Sequence, residues 1–227
     1  MACLISIIIP VYNEQKLINS LILHLQKIFP ASETEIIVVD GEKSSSTINT
    51  IKDSSVIKLV SPKGRANQMN LGAFFSKGSI LLFIHADSKL PENSFFLIKN
   101  KMKNSFIKAG AFDLKIDSGS FFLKLVSFGA SLRSRLTKIP YGDQGIFIKK
   151  YIFKDIGGYS EIPLMEDIDL MQKLKRKKYK IIFLNRKIKT SPRRWTEQGI
   201  FFCSFRNIFI SSLYYIGIKP ERLVRFY

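Results

Sequence analysis

Two side chains that could bind a charged ligand follow a short apolar run near the middle of the chain. The five apolar residues 80–84 are followed at once by His85, Ala86 and Asp87. A short apolar run bounded by turn residues is typical of a strand buried on both faces. An imidazole and a carboxylate two positions apart at its end can meet one charged ligand or one metal ion. The alternative is a polar strand end in which Asp87 only forms a turn.

The elements that would position these side chains alternate between strand and helix over the first ninety residues. Apolar runs predict strands at Leu4 to Pro10, 35–40, 56–60 and 80–84, and leucines at helical spacing predict a helix over 17–28 that ends before Pro30. Such alternation indicates βαβ units, right-handed crossovers and a mostly parallel sheet. The sequence therefore predicts an α/β fold.

Acidic and polar residues stand at the ends of three of these predicted strands. Asn13 and Glu14 follow the first strand, Asp40 ends the second, and His85 and Asp87 follow the fourth. In an open α/β sheet, ligands bind beyond the carboxyl ends of the strands. We therefore expect these side chains to collect at one edge of the sheet.

The segment Gly64–Ala73 is predicted to form a helix whose first turns carry Arg65, Asn67, Gln68 and Asn70. A helix N-terminus beside an arginine can bind an anion. A solvated polar face is the alternative, but it does not explain amides on consecutive turns. We therefore favour a binding role for this segment.

The second half of the chain continues with mixed elements. Helices are predicted over 91–103, 121–136 and from Glu166 to 177, and an alternating, half-exposed strand over 109–117. A turn containing Asp143 and Gln144 precedes a short strand at 145–149, and two further strand signals cover 180–184 and 187–191. Glu166 and Asp167 open a helix, where carboxylates usually serve as caps. The single tryptophan, Trp195, follows Arg193 and Arg194, and an apolar tail runs from 199 to 215.

Composition restricts the class of protein. The 227 residues are 46% hydrophobic and carry a net charge of +18, which favours an anionic partner without saying which. No apolar run is long enough for a membrane-spanning helix, and the N-terminus does not resemble a signal peptide. Cys3 and Cys203 are expected to be small buried hydrophobic residues in a reducing cytoplasm. We expect one domain over 1–195 and a helical C-terminal extension over 196–227 packed on it.

Seven motifs, in order and over nearly the whole chain, resemble glycosyltransferase family 2 with its GT-A fold, in which a Rossmann-like, mostly parallel sheet is flanked by helices. More narrowly, three of them resemble a small bacterial subgroup of soluble transferases: His85-Ala-Asp87, Leu164-Met-Glu-Asp167 and Arg193-Arg-Trp195. The other matching segments are Pro10-Val-Tyr-Asn-Glu14, Val38-Val-Asp-Gly41, Gly64-Arg-Ala-Asn-Gln-Met-Asn70 and Gly142-Asp-Gln-Gly145.

The resemblance implies a metal-dependent, inverting transfer of a hexose-type sugar from a nucleotide-diphosphate sugar to an unknown acceptor hydroxyl. Asp167 would be the general base, supported by Glu166. Asp87, with His85, would hold Mn²⁺ or Mg²⁺ against the diphosphate. Acceptor and diphosphate would meet Asp143, Gln144, Arg193, Arg194 and Trp195. The donor would contact Pro10, Tyr12, Asn13, Glu14, Asp40, Arg65, Gln68, Asn70, His85, Ala86 and Asp87.

Two departures from the family pattern matter for these roles. The family commonly has Asp-x-Asp at the metal site, whereas the first member here is His85, a ligand that suits Mn²⁺ better than Mg²⁺ or that contacts sugar or phosphate instead. The loop after the second strand is Glu42-Lys-Ser-Ser-Ser-Thr47, so the usual aspartate near Ser45 is missing.

Two other functions compete with the transferase. A degenerate scaffold that binds polyanions or an anionic membrane would explain the charge, but it has no need for carboxylates gathered in one cleft. A nucleotidyltransferase would need a glycine-rich phosphate loop after the first strand, which Val11-Tyr-Asn-Glu14 is not. We therefore expect a cytoplasmic enzyme that binds no nucleic acid. The helix over 121–136 and the C-terminal segment could contact the inner membrane face peripherally.

Overall fold

The computed structural model describes residues 5–227, so the expected start of the first strand at Leu4 and the environment of Cys3 lie outside the described residues. The strands are rich in β-branched residues, which favour extended backbone. They are β1 (Ile5–Val11), β2 (Thr34–Asp40), β3 (Ile57–Val60), β4 (Ile80–Phe83), β5 (Ile107–Ile116), β6 (Ile146–Lys149) and β7 (Lys180–Thr190).

These strands form one sheet in the order β3-β2-β1-β4-β6-β5-β7. Strand β1 pairs in parallel with β2 and with β4, β2 pairs in parallel with β3, and β5 with β7. Strand β6 is antiparallel to both of its neighbours, β4 and β5. The predicted α/β fold with a mostly parallel sheet is confirmed, and it is the GT-A arrangement.

Helices cover both faces of the sheet. They are α1 (Ile18–Ile28), α2 (Arg65–Phe75), α3 (Ser94–Met102), α4 (Phe121–Thr137), α5 (Lys150–Asp155), α6 (Glu166–Arg176), α7 (Arg193–Gln198), α8 (Ile200–Tyr215) and α9 (Pro220–Leu223). Alternate residues of β1 enter different cores: Ile7 and Ile9 pack with α1 and α3, whereas Ile8 packs with α2. A Cβ on Gly72 of α2 would lie 2.5 Å from Ile8 Cγ2, so a glycine is needed for this close packing.

Two sequence expectations for the second half of the sheet are wrong in detail. Strand β5 is buried along most of its length rather than half-exposed, because α4 packs along it. The backbone N–H groups of Leu114 and Ile116 donate to the hydroxyls of Ser131 and Ser127 on α4. The two final strand signals belong to one strand, β7. A register shift opposite Phe112 and Asp113 accommodates the polar residues Asn185 and Arg186 that separated them in the sequence.

The C-terminal helices pack against the rest of the chain. Helix α8 contacts α4, α7 and α9, and Leu164, Ile210 and Leu223 form a small core of their own. Cys203 is buried, as expected. Within residues 5–227, no helix has the length and apolar character needed to cross a membrane. The boundary at residue 195 remains a prediction.

Candidate functional site

A cleft of about 390 Å³ opens at the edge of the sheet where β1 and β4 end. This volume is in the range of small-molecule binding sites. The cleft is lined by residues from both halves of the chain. They include Pro10, Tyr12, Glu14, Arg65, His85, Ala86, Asp87, Tyr141, Asp143, Glu166, Asp167, Thr190, Arg193, Arg194, Trp195, Asn207, Ser211 and Tyr227.

Asp87 is placed by the continuation of β4 beyond its last paired residue. The backbone N–H of Ile84 donates to the carbonyl of Ile8 at 3.2 Å, which keeps the end of β4 beside β1. One carboxylate oxygen of Asp87 accepts a hydrogen bond from Thr190 Oγ1 at 3.2 Å. The end of β7 therefore orients the side chain that follows β4.

His85 lies against the turn that contains Gly142. A Cβ added to Gly142 would lie 2.9 Å from His85 Nε2 and 3.6 Å from Asp167 Oδ2. Burial lowers the pKa of His85 to about 3, and the charges of Arg65 and Arg194 act in the same direction. The imidazole is therefore neutral near pH 7, the form that can accept a hydrogen bond or bind a metal ion.

Asp167 lies at the start of α6 and is held by backbone N–H groups. Its Oδ2 accepts from Gly142 N at 2.6 Å and its Oδ1 from Ile168 N at 2.8 Å. Met165, the residue before the first residue of α6, has a φ of 69°, a left-handed conformation that non-glycine residues adopt at a cost. This backbone turn directs both carboxylates of the Glu166-Asp167 pair to the cleft.

Glu166 is nearly fully buried beside Asp167. Its Oε1 lies 3.6 Å from Arg65 Nη1. Burial and then the charge of Asp167 raise the pKa of Glu166, and Arg65 only partly opposes them. A carboxyl group in this position holds a proton at a higher pH than an ordinary glutamate does.

Asp143 completes the group of acidic residues. Burial and then the charge of Asp167 raise its pKa to about 6, while Arg133 opposes the shift. Asp143 and Asp167 form no ion pair within 4.0 Å among the residues that the structure describes. The cleft therefore has an acidic wall in which Glu166 faces Arg65, whereas Asp143 and Asp167 have no arginine within 4.0 Å among the described residues.

Helix α7 brings the Arg-Arg-Trp segment to the mouth of the cleft. Arg193 Nη2 lies 3.4 Å from Glu14 Oε1, so an ion pair links α7 to the turn after β1. The guanidinium of Arg194 lies 5.1 Å from the ring centre of Tyr227. Trp195 packs against the large hydrophobic core and lines the cleft.

Several residues expected to contact the donor or acceptor make internal hydrogen bonds instead. Asp40 is fully buried and accepts from the backbone N–H groups of Glu42, Thr47 and Ile48. The carboxylate of Asp40 therefore orders the loop after β2, and its expected nucleoside contact remains a prediction. Asn13 is exposed beside Ser46 and does not line the cleft.

The amides of α2 and of the Gly142 turn are also committed to the fold. Gln68 lines the cleft, but its Nε2 donates to the carbonyls of Val11 and Val39, where β1 and β2 end. Asn70 bonds both the N–H and the carbonyl of Tyr159. The buried Gln144 bonds Ser134, Tyr141 and Phe112. These amides satisfy backbone groups that strand and turn ends leave without partners. Their expected contacts to ligand remain a prediction.

Several cleft residues were not identified from the sequence, five polar ones among them. Tyr141 and Ser211 are joined by a hydrogen bond of 2.9 Å, and Thr190, Asn207 and Tyr227 line the same space. The spacing of Asn207 and Ser211, four residues apart on α8, is a signal that could have indicated a polar face. Nothing in the sequence singles out Thr190 or Tyr227.

The donor set fits a divalent cation that takes most of its ligands from substrate. Among the described residues, no three His, Cys, Asp or Glu side chains are close enough to hold a metal ion by themselves. Within residues 5–227, one carboxylate oxygen of Asp87 has no hydrogen-bond partner, and the imidazole of His85 is neutral near pH 7. Mg²⁺ and Mn²⁺ sites of this kind combine one or two protein ligands with phosphate oxygens and water.

Comparison with known proteins places this geometry among transferases. A family model described as "Glycosyl transferase family 2" matches residues 6–146. A dolichol-phosphate mannosyltransferase from Pyrococcus furiosus is 25% identical over 146 residues, which are 58% of this chain. The match spans 40% of that protein's own length.

Two solved structures share the architecture. The mannosyltransferase PcManGT from Pyrobaculum calidifontis, in complex with GDP-Man and Mn²⁺, superposes with a TM-score of 0.71 at 15% identity, over 97% of this chain and 67% of that one. TarS residues 1–349 from S. aureus, in complex with UDP-GlcNAc, gives 0.64 at 18% identity, over 92% of this chain and 66% of that one. At these identities the likeness shows the fold.

Proposed function

The chain belongs to glycosyl transferase family 2, and on that premise we propose that it transfers a sugar from a nucleotide-diphosphate sugar to an acceptor hydroxyl. The observation that carries the proposal is the position of Asp167. Its carboxylate is fixed by the Gly142 N–H at 2.6 Å, in one cleft with Asp87 and the Arg-Arg-Trp segment. A fixed carboxylate in a partly enclosed cleft is suited to general base catalysis.

In the proposed reaction the acceptor oxygen forms a bond to the anomeric carbon of the donor sugar. The bond from that carbon to the diphosphate oxygen breaks, and its electron pair stays on the nucleoside diphosphate. Asp167 takes the proton of the acceptor hydroxyl. A single direct displacement inverts the anomeric carbon. Glu166 supports Asp167. Its raised pKa means that its carboxyl group keeps a proton to a higher pH than an ordinary glutamate does, and this limits the negative charge beside the base.

The donor is proposed to bind along the ends of β1 and β4. Pro10, Tyr12, Glu14, Arg65, Ala86 and Asp87 line this side of the cleft. The nucleotide sugars GDP-Man and UDP-GlcNAc in the two similar structures support this class of donor and a hexose-type sugar. Arg193 and Arg194 would contact the diphosphate, and Asp143 and Trp195 the acceptor side.

A divalent cation, Mn²⁺ or Mg²⁺, is part of the proposal. Asp87 would hold it, with His85 as a second ligand or as a contact to sugar or phosphate, and the Mn²⁺ of the mannosyltransferase complex supports this assignment. When bound, the ion would neutralise charge that develops on the departing diphosphate. Thr190, which donates to the other oxygen of Asp87, would keep the carboxylate oriented.

The same proposal covers subgroup, location and partners. The His-Ala-Asp, Leu-Met-Glu-Asp and Arg-Arg-Trp segments support the small bacterial subgroup, in the cytoplasm. The net charge of +18 supports peripheral contact of the protein with the inner face of an anionic membrane. Nucleic acid is not an expected partner. The alternative of a degenerate scaffold is disfavoured, because Asp87, Asp143, Glu166 and Asp167 line one cleft.

Calorimetric titration with UDP and with GDP, each with and without Mn²⁺, tests the proposed function. We expect one of the two nucleotides to bind with Mn²⁺ and to lose at least about tenfold in affinity in Asp87→Ala. The matched control is Asp117→Ala, an aspartate on the surface that does not line the cleft. Absence of binding by both nucleotides under both conditions would reject the proposal and favour the degenerate scaffold.

A further inference from the structure

Helices α4 and α8 expose an unusual number of large apolar side chains. We call their exposed apolar side chains the aromatic surface. Phe121, Phe128, Phe201 and Phe205 are each at least 66% exposed. The full set is Phe121, Phe122, Leu125, Phe128, Leu132, Leu136, Phe201, Phe202, Phe205, Ile208 and Phe209.

The aromatic surface is continuous across the two helices. The ring centres of Phe122 on α4 and Phe201 on α8 are 5.4 Å apart, and those of Phe205 and Phe209 are 6.1 Å apart. Each helix also has a second face that is buried in the protein. This face includes Leu123 and Ser127 on α4 and Cys203 and Ile210 on α8. Packing within the chain therefore explains one face of each helix and leaves the other to water.

Basic side chains accompany the aromatic surface. Lys124 and Arg133 lie on α4, Arg206 lies on α8, and none of the three forms an ion pair with a described carboxylate within 4.0 Å. Within residues 5–227, the Nε atoms of Arg133 and Arg206 are buried without a hydrogen-bond partner, but Nη2 of Arg133 donates to Ser134 Oγ at 3.2 Å and Nη2 of Arg206 to Gln198 Oε1 at 2.7 Å. Each guanidinium also lies over an aromatic ring, that of Tyr141 at 3.5 Å and that of Tyr227 at 5.3 Å. Of the three cations only Lys124 is exposed, so Lys124 is the one that can meet an external anion directly.

We infer that the aromatic surface docks on an anionic lipid bilayer and so places the mouth of the cleft beside the lipid headgroups. This inference rests on the membrane contact in the proposed function and assigns it to specific residues. Apolar side chains with flanking cations are the pattern of interfacial helices, which bury their apolar face at the headgroup boundary. A second copy of the chain fits less well, because it brings another +18 charge to the same surface.

Helix α8 connects this surface to the cleft. Phe205 and Ile208 belong to the aromatic surface, whereas Asn207 and Ser211 line the cleft. One helix therefore forms part of the cleft wall on one side and the docking surface on the other. Its docking would bring the cleft next to molecules held in the bilayer.

Co-sedimentation with vesicles tests the docking. Wild-type protein at low salt should sediment with vesicles of phosphatidylglycerol and phosphatidylcholine, and much less with phosphatidylcholine alone. The double variant Phe128→Ser/Phe205→Ser should bind the anionic vesicles at least about tenfold more weakly, since each change removes an inserting ring. The matched control Phe74→Ser/Phe106→Ser removes two rings that are 77% and 76% exposed outside the aromatic surface, and it should bind like wild type.

A fluorescence measurement tests the orientation independently. In a Trp195→Phe background, which removes the native tryptophan, one introduced as Phe205→Trp should be quenched by brominated lipids in the anionic vesicles, whereas one introduced as Phe74→Trp should not. Failure of the wild type to sediment, equal loss in both double variants, or equal quenching at the two positions would overturn the inference. So would a dimer in light scattering that the Phe128→Ser/Phe205→Ser change dissociates. The calorimetric titration of nucleotides uses no vesicles, so failure of the proposed function is recognised separately.

Discussion

At the scale of single residues, the cleft contains carboxylates whose surroundings differ. Asp167 is fixed by two backbone N–H groups. Glu166 is buried, and its nearest cation is Arg65 at 3.6 Å. Asp143 lies in the cleft wall and forms no ion pair among the described residues. Environments that shift the pKa values of neighbouring acids in different ways are typical of sites that move protons. The proposed division of roles between Glu166 and Asp167 rests on this difference.

Replacement of the proposed base should remove transfer but not donor binding. In Asp167→Asn the amide cannot take a proton from the acceptor, so we expect the rate of transfer to fall by about 10²–10⁴-fold. Affinity for the nucleotide, measured by calorimetry, should stay within a few-fold of wild type. A variant with near-normal turnover would exclude Asp167 as the base, and a variant with no nucleotide binding would indicate a structural role.

The buried carboxyl group of Asp143 should make stability depend on pH. Its pKa is raised from 3.8 to about 6, so the folded state retains the proton that the unfolded chain has lost. This stabilisation is complete below pH 3.8 and is lost as the pH rises through about 6. Between these limits the unfolding free energy of wild type should fall by about 2 kcal/mol relative to Asp143→Asn, measured by urea denaturation. Parallel curves for the two proteins would contradict the raised pKa.

Sequence reasoning identified many of the cleft residues but not the hydrogen bonds that some of them make within the fold. Asp87, Glu166 and Asp167 were found because each follows a recognisable strand end or helix start. The internal bonds of Gln68 and Asn70 were not foreseen, because an amide at a helix start can bond either a ligand or nearby backbone. Only the tertiary structure shows that the carbonyls of Val11 and Val39 lie within reach of Gln68.

At the scale of elements, the turn at Gly142 joins the two halves of the site. We expect Gly142→Ala to push His85 or the turn aside, because the new Cβ would lie 2.9 Å from His85 Nε2. Nucleotide affinity in the presence of Mn²⁺ should fall at least about tenfold, since small displacements of binding groups have large effects. Gly119→Ala is the control, because nothing lies within 4 Å of its added Cβ. Equal affinities in both variants would show that the turn yields without consequence.

Helix α4 is attached to β5 by a two-point ion pair. Arg135 Nε and Nη2 donate to the two carboxylate oxygens of Asp113 at 2.9 and 2.8 Å. In Arg135→Met the buried carboxylate of Asp113 loses this partner. Because the pair is only partly buried, we expect a loss of about 1–3 kcal/mol in unfolding free energy, as for a buried acceptor left without its donor. Adding Asp113→Leu should recover part of the loss in the same urea experiment. If the double variant is no more stable than the single one, the cost lies in lost packing instead.

Sequence reasoning predicted every strand of the sheet. Its errors concern the exposure of β5 and the continuity of β7, which depend on the neighbouring elements. Periodicity indicated alternating exposure in β5, but that prediction could not include α4, which packs along the strand. The polar pair Asn185 and Arg186 divided β7 into two signals because a register shift has no clear sequence pattern. The order of the strands required the structure, since β6 lies between β4 and β5 although it follows both in the chain.

At the scale of the whole molecule, charge and exposed apolar surface predict different dependences on salt. The charge of +18 would attract the protein to an anionic vesicle from a distance, and this attraction is screened as the Debye length falls from about 10 Å at 0.1 M salt to about 3 Å at 1 M. Insertion of the rings of α4 and α8 is not screened in this way. The two contributions to membrane binding can therefore be separated.

Sedimentation with anionic vesicles at 0.05 M and at 0.5 M NaCl makes this separation. We expect wild type to bind more weakly at the higher salt but to retain measurable binding, because the aromatic rings remain inserted. Phe128→Ser/Phe205→Ser should bind only at the lower salt, where the net charge still acts. Complete release of the wild type at 0.5 M NaCl would mean that charge alone attracts the protein. The exposed rings of the aromatic surface would then need another partner.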